Sequence, residues 1–369
     1  MPESLELKLT TLTPFFTGGV DGICDRLHET SLIGSMRWWF EAIVRGFGGY
    51  ACDPTEHKCK DNDLCAACFV FGATGHKRLF RLKTDLELIN DESNNSLKVE
   101  AKNSKWYIKR GLFVKNATVK LIYSKQEHLL PSENNDETSI KKVLSSEELK
   151  NMLLLTLKIM SINGSFGGGT SYGNGVLNID CDRVDKNIAI HGFNKLKNHF
   201  PVSISSNDSK PKLNDFFFTK IQFKKIQINA VPEKESKWYT DNRIIPISPQ
   251  MRYYLRSLIR EDKNFSKDER HRLMGFVPNN HENEQKFSSL IRISNAYPLN
   301  ENEYEFRIWG WFPSDFEKKD EILNKYKEWI STLPSQKGGL WEKTNLSPLS
   351  SSTLFCDSME FFIKQLLED

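Results

Sequence analysis

The chain has 369 residues, with 51 Lys and Arg against 48 Asp and Glu for a formal net charge of +3, and 38% hydrophobic and 27% charged residues. So small a net charge gives no general attraction for polyanions, so nucleic-acid binding has to be argued from local patches. No run reaches the roughly 18 apolar residues of a spanning helix, and MPESLELKLT lacks a basic segment followed by an apolar one; a membrane or secreted protein is excluded at this level and a cytoplasmic one expected.

At about 150 residues per domain, the length predicts two domains. Alternating Leu5, Leu7, Leu9 and Thr11 predict a first strand ending at Pro14. After a loop, residues 33–47 form a helix opened by Glu29-Thr30-Ser31. Ile33, Met36, Phe40, Ile43, Val44 and Phe47 fall on one arc of its wheel, with Arg37, Trp38, Glu41 and Arg45 beside that arc. Strands follow at 79–88 and 106–123, a helix at 145–160 and a strand at 176–179. The order β, α, β, β, α, β is that of a ferredoxin-like (RRM-like) domain. Residues 186–215, rich in Asn, Ser, Lys and Pro, are expected to be a connector. A second unit starts with the strand-like FFFTKIQFKKIQI at 216–228. It continues with a helix at 248–260 carrying Arg252, Arg256 and Arg260, strands at 288–294 and 304–312, and helices at 316–332 and 359–367. The expected fold class is therefore α+β. It comprises an N-terminal ferredoxin-like domain over 1–185 with a cysteine-rich insertion, and a second such domain over 216–369 that repeats the first in degenerate form.

Residues 161–175, SINGSFGGGTSYGNG, place six glycines between a helix and a strand. Glycines without Cβ atoms let another backbone or a ligand come close. A dinucleotide fold has the reverse order, strand then helix, and no Lys-Ser/Thr of a phosphate-binding P-loop follows, so a nucleotide cofactor is not expected. Two readings remain: a loop along a polynucleotide backbone, with Thr170, Ser171 and Tyr172 donating or stacking, or a plain turn. The loop carrying Thr17, Gly18, Gly19, Arg26, His28 and Ser31 faces the same groove if the first and last strands of the domain are neighbours. Arg37 and Arg45 have guanidinium forks suited to phosphate, unless Arg37 pairs with Glu41 within the helix. Trp38 either stacks on a base or, as aromatic residues beside an apolar stripe usually do, extends the core.

Cys52, Cys59, Cys65 and Cys68 are spaced C-x6-C-x5-C-x2-C with His57 inside, four of 7 cysteines. The C-x2-C pair suits a closed structural zinc site, the alternative being free buried thiols. No Ser-His-Asp set, nucleophile elbow or H-E-x-x-H is present. For cleavage, His28 with Tyr172 could form an acid/base pair for metal-independent chemistry on RNA, and Asp21 with Asp25 could position a metal or an attacking 2′-OH.

The runs TPFFTGG at 13–19, SLIGSMRWWF at 31–40, CAACFVFG at 65–72 and the glycine loop resemble, in order and spacing, the RAMP superfamily of CRISPR-associated proteins. Within it they are similar to the first subunit of the type III-B (Cmr) effector complex, over about the first 180 residues and in general plan beyond. The resemblance implies two ferredoxin-like domains, other RAMP subunits as partners, and contact with guide RNA near its 3′ end and with target RNA. It implies no nuclease activity in this subunit. Tyr172 and Asn174 stand where the family's glycine loop usually has Arg or Lys, which shifts weight to Arg26, Arg37 and Arg45. The expected RNA-binding set is Thr17, Gly18, Gly19, Arg26, Ser31, Gly34, Arg37, Trp38, Arg45, Gly167, Gly168, Gly169, Thr170, Ser171 and Tyr172, with no catalytic residue. The alternatives are an endoribonuclease processing guide RNA through His28, and a purely structural assembly subunit.

Overall fold

Leu7 and Leu9 are buried where the residues between them are not, as a strand with one covered face requires. The computed structural model describes residues 2–19, 21–55, 59–60, 63–86, 96–101, 104–109, 111–114, 116–130, 143–201, 210–224, 243–276, 288–313, 316–332 and 348–355, with Met359 and Ile363. In chain order the first part holds β1 (Pro2–Thr11), α1 (Glu29–Gly46), α2 (Ala66–Phe71), β2 (Phe80–Leu86), β3 (Ser96–Ala101), β4 (Ser104–Lys109), β5 (Ala117–Ser124), β6 (His128–Leu129), β7 (Val143–Leu144), α3 (Ser146–Asn163), β8 (Leu177–Ile179) and α4 (Lys186–His199). The second holds β9 (Phe216–Lys224), α5 (Ser248–Glu261), α6 (Lys267–Met274), β10 (Ile291–Ile293), β11 (Tyr297–Pro298), β12 (Glu303–Trp311), α7 (Lys319–Thr332) and β13 (Pro348–Phe355).

The first sheet has the order β2-β5-β1-β8 with antiparallel neighbours, and the second β10-β12-β9-β13 with β11 added to β12. Counting only the strands of each β-α-β-β-α-β frame, both run second, third, first, fourth. The ferredoxin-like expectation and the repeat between halves therefore hold as topology.

The two sheets differ in what covers them. In β5 the buried residues Ala117, Val119, Leu121 and Tyr123 alternate with half-exposed ones, so one face meets the core. In β9 the consecutive Phe216, Phe217 and Phe218 are all buried. Phe217 joins the core with Met251, Leu255 and Tyr326, while Phe216 and Phe218 join the core of the first part, so this sheet is covered on both faces.

The structure corrects the sequence reading in several places. The strand expected at 106–123 is two: β4 pairs with β3 in a separate hairpin, and the chain then crosses at Leu112 to bridge Phe15 before β5 begins. Gly111, with φ of +75°, makes that crossing; a Cβ there would lie 2.5 Å from the Phe15 carbonyl oxygen. Residues 186–199 are the helix α4, not connector. Asp185 caps it by accepting from Asn187 and Ile188, and Ala189, Phe193 and Leu196 enter the first core. Neither β13, whose serines hide a strand pattern, nor α6 was anticipated, although Ser266 and Glu269 form a capping box at the start of α6. The helix expected at 359–367 lies outside the described residues except for Met359 and Ile363, both buried in the first core.

Glu148 ties α3 to α4. It completes the capping box with Ser145 at the start of α3 and accepts from His191 Nδ1 at 2.6 Å and from Lys195 Nζ at 2.7 Å. Burial alone would raise its pKa, but the hydrogen bonds from Lys195, Ser145 and His191 hold it below the usual carboxylate value. A depressed folded pKa contributes stability above the unfolded value that disappears as pH falls through the folded one. Glu148→Gln is therefore expected to lower the melting temperature at neutral pH. In urea titrations it should also remove part of the stability lost by the native chain below about pH 4.3.

Candidate nucleic-acid interface and metal centre

The glycine loop begins where α3 ends, and its glycines are required by what comes close to it. A Cβ on Gly164 would lie 2.3 Å from the Trp39 ring, one on Gly167 2.7 Å from the Phe16 carbonyl oxygen and one on Gly175 2.1 Å from that of Phe166. Gly167 donates to Ser35 Oγ at 3.0 Å, Gly168 to the Phe16 carbonyl at 2.7 Å and Gly175 to that of Pro14 at 2.7 Å. Thr170–Tyr172 form a single 3₁₀ turn between Gly169 and Gly173, both left-handed. The turn seats on the second sheet. Asn295 donates from its backbone to the Gly173 carbonyl at 3.0 Å and from its side chain to that of Tyr172 at 3.2 Å, and it accepts from Ser248 at 3.3 Å. The Gly167 and Gly168 amides expected to cradle phosphate are thus engaged within the protein. The Phe16–Gly168 bridge does place the two glycine-bearing loops side by side.

The α1 arginines are engaged within the protein in the same way. Arg37 donates to Glu41 at 2.8 Å, to the Gly72 carbonyl at 3.2 Å and to Cys68 Sγ at 3.1 Å. Burial works to lower its pKa, but Glu41 and the Cys68 sulfur hold it above the ordinary guanidinium value. Arg45 is largely covered and donates to the carbonyls of Ala51 at 3.0 Å, Cys52 at 2.9 Å and Pro211 at 3.3 Å. Both guanidiniums are committed to partners inside the protein, with 19% of the Arg37 side chain and 8% of the Arg45 side chain exposed. The cause is that α1 is covered on nearly every side, with Leu32, Trp39 and Ala42 buried as well as the expected stripe. Thr17 is also internal: its hydroxyl donates to the Arg26 carbonyl at 2.6 Å and accepts from the His28 amide at 3.2 Å. Gly18 and Arg26 are exposed, and Gly19 and Ser31 partly so. His28 pairs with Asp25 at 2.8 Å.

Four of the expected residues meet in one place. Gly34 and Trp38 on α1 and Gly167 and Thr170 on the glycine loop line a groove of about 550 Å³ between the first part and the second sheet. Its far wall is Trp309, Trp311 and Arg292, and its rim includes Asp53 and Lys210, which pair at 3.0 Å. Hydrogen bonds from Thr55 and Lys210 outweigh burial and hold the Asp53 carboxyl at about 2. Trp38 packs edge-on against Trp39 and Phe216 yet stays partly exposed in the groove, so it both packs and presents a ring. Sequence reasoning missed the far wall. A signal was present: Trp309 and Trp311 are two apart in a strand and so share a face, and Arg292 pairs with Trp309 across β10 and β12.

Away from the groove, Cys52, Cys59, Cys65 and Cys68 are all buried with their sulfurs within 4.8 Å of one another. Cys65 and Cys68 are brought together by α2, whose start Cys65 caps by accepting from the Cys68 amide at 3.4 Å. The loose C-x6-C spacing is closed by folding; His57 lies outside the described residues. Hydrogen bonds from Cys52, Cys59 and Cys68 push the Cys65 thiol far down, while Cys52 and Cys59 are pushed up by their bonds to it. Four convergent sulfurs with one already favoured as thiolate suit a single metal ion in a closed site.

Because Arg45 satisfies three buried carbonyls and faces Glu41, Arg45→Met is expected to lower unfolding free energy in urea by about 2–4 kcal/mol. Arg26→Ala, on the surface, should stay within about 0.5 kcal/mol.

Among the described residues no helix is long and apolar enough to cross a membrane. No curated protein matches the chain in sequence. The chain is similar to the crystal structure of Cmr1 from Pyrococcus furiosus in its apo form, with 13% identity over 88% of this chain and 97% of that one and a TM-score of 0.39. Residues 8–178 match the family model of the RAMP superfamily, from the middle of β1 through the glycine loop to β8.

Proposed function

We propose that the chain is a non-catalytic RNA-binding subunit of a cytoplasmic, RNA-guided type III-B effector complex, and that the groove between the glycine loop and the second sheet is its RNA site. The observation that carries this reading is the lining of the groove, with four tryptophans, Trp38, Trp39, Trp309 and Trp311, beside Arg292 and Lys210. Rings that offer a face to any base, set next to cations that meet any phosphate, grip single-stranded RNA without reading its sequence. The match of residues 8–178 to the RAMP superfamily model supports RNA as the polyanion. In this reading the glycine loop shapes the groove by letting the two sheets approach, Trp38 and Trp311 stack on bases, and guide RNA near its 3′ end and paired target RNA are the partners, alongside other RAMP subunits.

The cysteine cluster is proposed to hold zinc as a structural ion. Four sulfurs leave no open position for a water, so the ion would brace α2 and the Arg37 end of α1. A second reading, metal-independent cleavage of guide precursors, rests on the His28–Asp25 pair, which would orient an imidazole as general base.

Anisotropy with a short fluorescein-labelled single-stranded RNA tests the binding reading. Log affinity should fall linearly with log salt, and Trp311→Ala should cost about 1–3 kcal/mol of binding with little change in melting temperature. Unchanged affinity in the Trp38→Ala, Trp311→Ala double variant would remove the groove as the site. Metal analysis of the purified chain should find about one zinc per molecule, and a chelator should lower its melting temperature. Incubating the chain with repeat RNA in chelator should leave the RNA intact; cleavage lost in His28→Ala would establish the second reading.

A further inference from the structure

The second part holds two arginines that the fold does not explain. Arg292 on β10 and Arg252 on α5 lie close enough for their charges to repel, and among the described residues neither forms an ion pair with a carboxylate. Arg252 is at least hydrogen-bonded, to the carbonyls of Met274 at 2.8 Å and Ile291 at 3.1 Å and to Ser289 Oγ at 3.2 Å. Arg292 lines the groove, and its Nη1 is buried with no hydrogen-bond partner. Burial, and then the like charge of Arg256 on Arg252 and of Arg252 on Arg292, lowers both guanidiniums to about 10. A second orphan lies in the same groove. Ser165, at the start of the glycine loop, is buried and its hydroxyl is without a partner.

Burying an unpaired charge costs free energy, and two such charges of one sign beside each other cost more. A fold keeps such an arrangement where an anion completes it. The row Arg292, Trp309 and Phe218 runs across the sheet on one face, so the cation is flanked by the aromatic wall. Arg252, bonded to Ser289 and Ile291 on the chain leading into Arg292, adds positive potential behind it. We infer that Arg292, with Arg252 behind it and the Ser165 hydroxyl in the same groove, forms a phosphate subsite that takes one backbone phosphodiester of RNA while an adjacent base lies against Trp38 or Trp311. The inference rests on the RNA-binding reading of the groove. It assigns the anchoring charge to the second sheet and not to the α1 arginines or the glycine-loop amides.

The test is a pair of measurements on the full chain and on Arg292→Met, with Ser165→Ala as a milder second variant. Removing an unpaired buried cation should leave the melting temperature unchanged or raise it. The same change should weaken single-stranded RNA binding about tenfold and reduce the salt slope by about one. A melting temperature that falls while RNA affinity and slope stay at the native values would make Arg292 structural and overturn the inference. A second arm uses inorganic phosphate and short RNA as alternative ligands in thermal melts. If the native chain binds RNA and Arg292→Met binds it equally, the subsite is refuted while the RNA reading stands. If the native chain binds no RNA but phosphate stabilises it only when Arg292 is present, the subsite stands as a free-phosphate site and the RNA reading fails.

Discussion

The close seating of the glycine loop between the two sheets is the constraint on which the rest of the molecule depends. Gly173 has φ of +90°, and a Cβ there would fall 2.5 Å from the Asn295 amide nitrogen and 2.6 Å from the Ser248 side chain. With no side chain, Asn295 can bond the loop backbone and fix β10, β12 and the start of α5 at a set distance from β1 and β8. Arg307 adds a second tie, bonding the Ser161 carbonyl in the last turn of α3. That places a cation at a helix C-terminus whose own last turn carries none. The groove exists because these contacts hold the facing walls apart on one side while closing them on the other.

Behind the loop, an aromatic cluster fills the space between α1 and the second sheet. Trp39 lies 5.2 Å from Trp309 and 5.4 Å from Phe216, ring centre to ring centre, and Phe216 stacks on Trp311. Tilted and edge-on contacts of this kind satisfy the ring quadrupoles while burying large areas. The consequence for charge follows directly. On a helix covered on almost every side, Arg37 and Arg45 turn to carbonyls, to Glu41 and to the cysteine sulfurs. The cations left facing the groove come from the other wall.

The cysteine cluster and the groove meet through short stretches of chain. Arg37 bonds Cys68 one residue before the groove-lining Trp38, and Asp53, at the groove rim, directly follows Cys52. A site that braces α2 therefore also sets the position of one end of the groove, which is a structural role consistent with four inward sulfurs.

The sequence alone determined the elements whose signal is local. Alternation in β1, the apolar stripe of α1, the helix beginning near Ser145 and the glycines before β8 were readable because strand and helix periods depend on near neighbours. From these the ferredoxin-like order of the first part followed, and by its echo that of the second. The helix α4 was misread because its polar composition masked Ala189, Phe193 and Leu196 on one face. Serine-rich β13 was missed because a strand at a sheet edge shows its pattern only against its partner β9. Which of two roles a residue takes was decided by tertiary structure. Arg37, Arg45 and Thr17 carry groups suited to RNA, and whether these face water or a carbonyl depends on elements up to 166 residues away, as with Arg45 and Pro211. The same packing brought Trp309, Trp311 and Arg292 opposite Gly34, Trp38, Gly167 and Thr170. No local period encodes that meeting, because it arises only when two separately patterned sheets close on a loop whose glycines leave room for them.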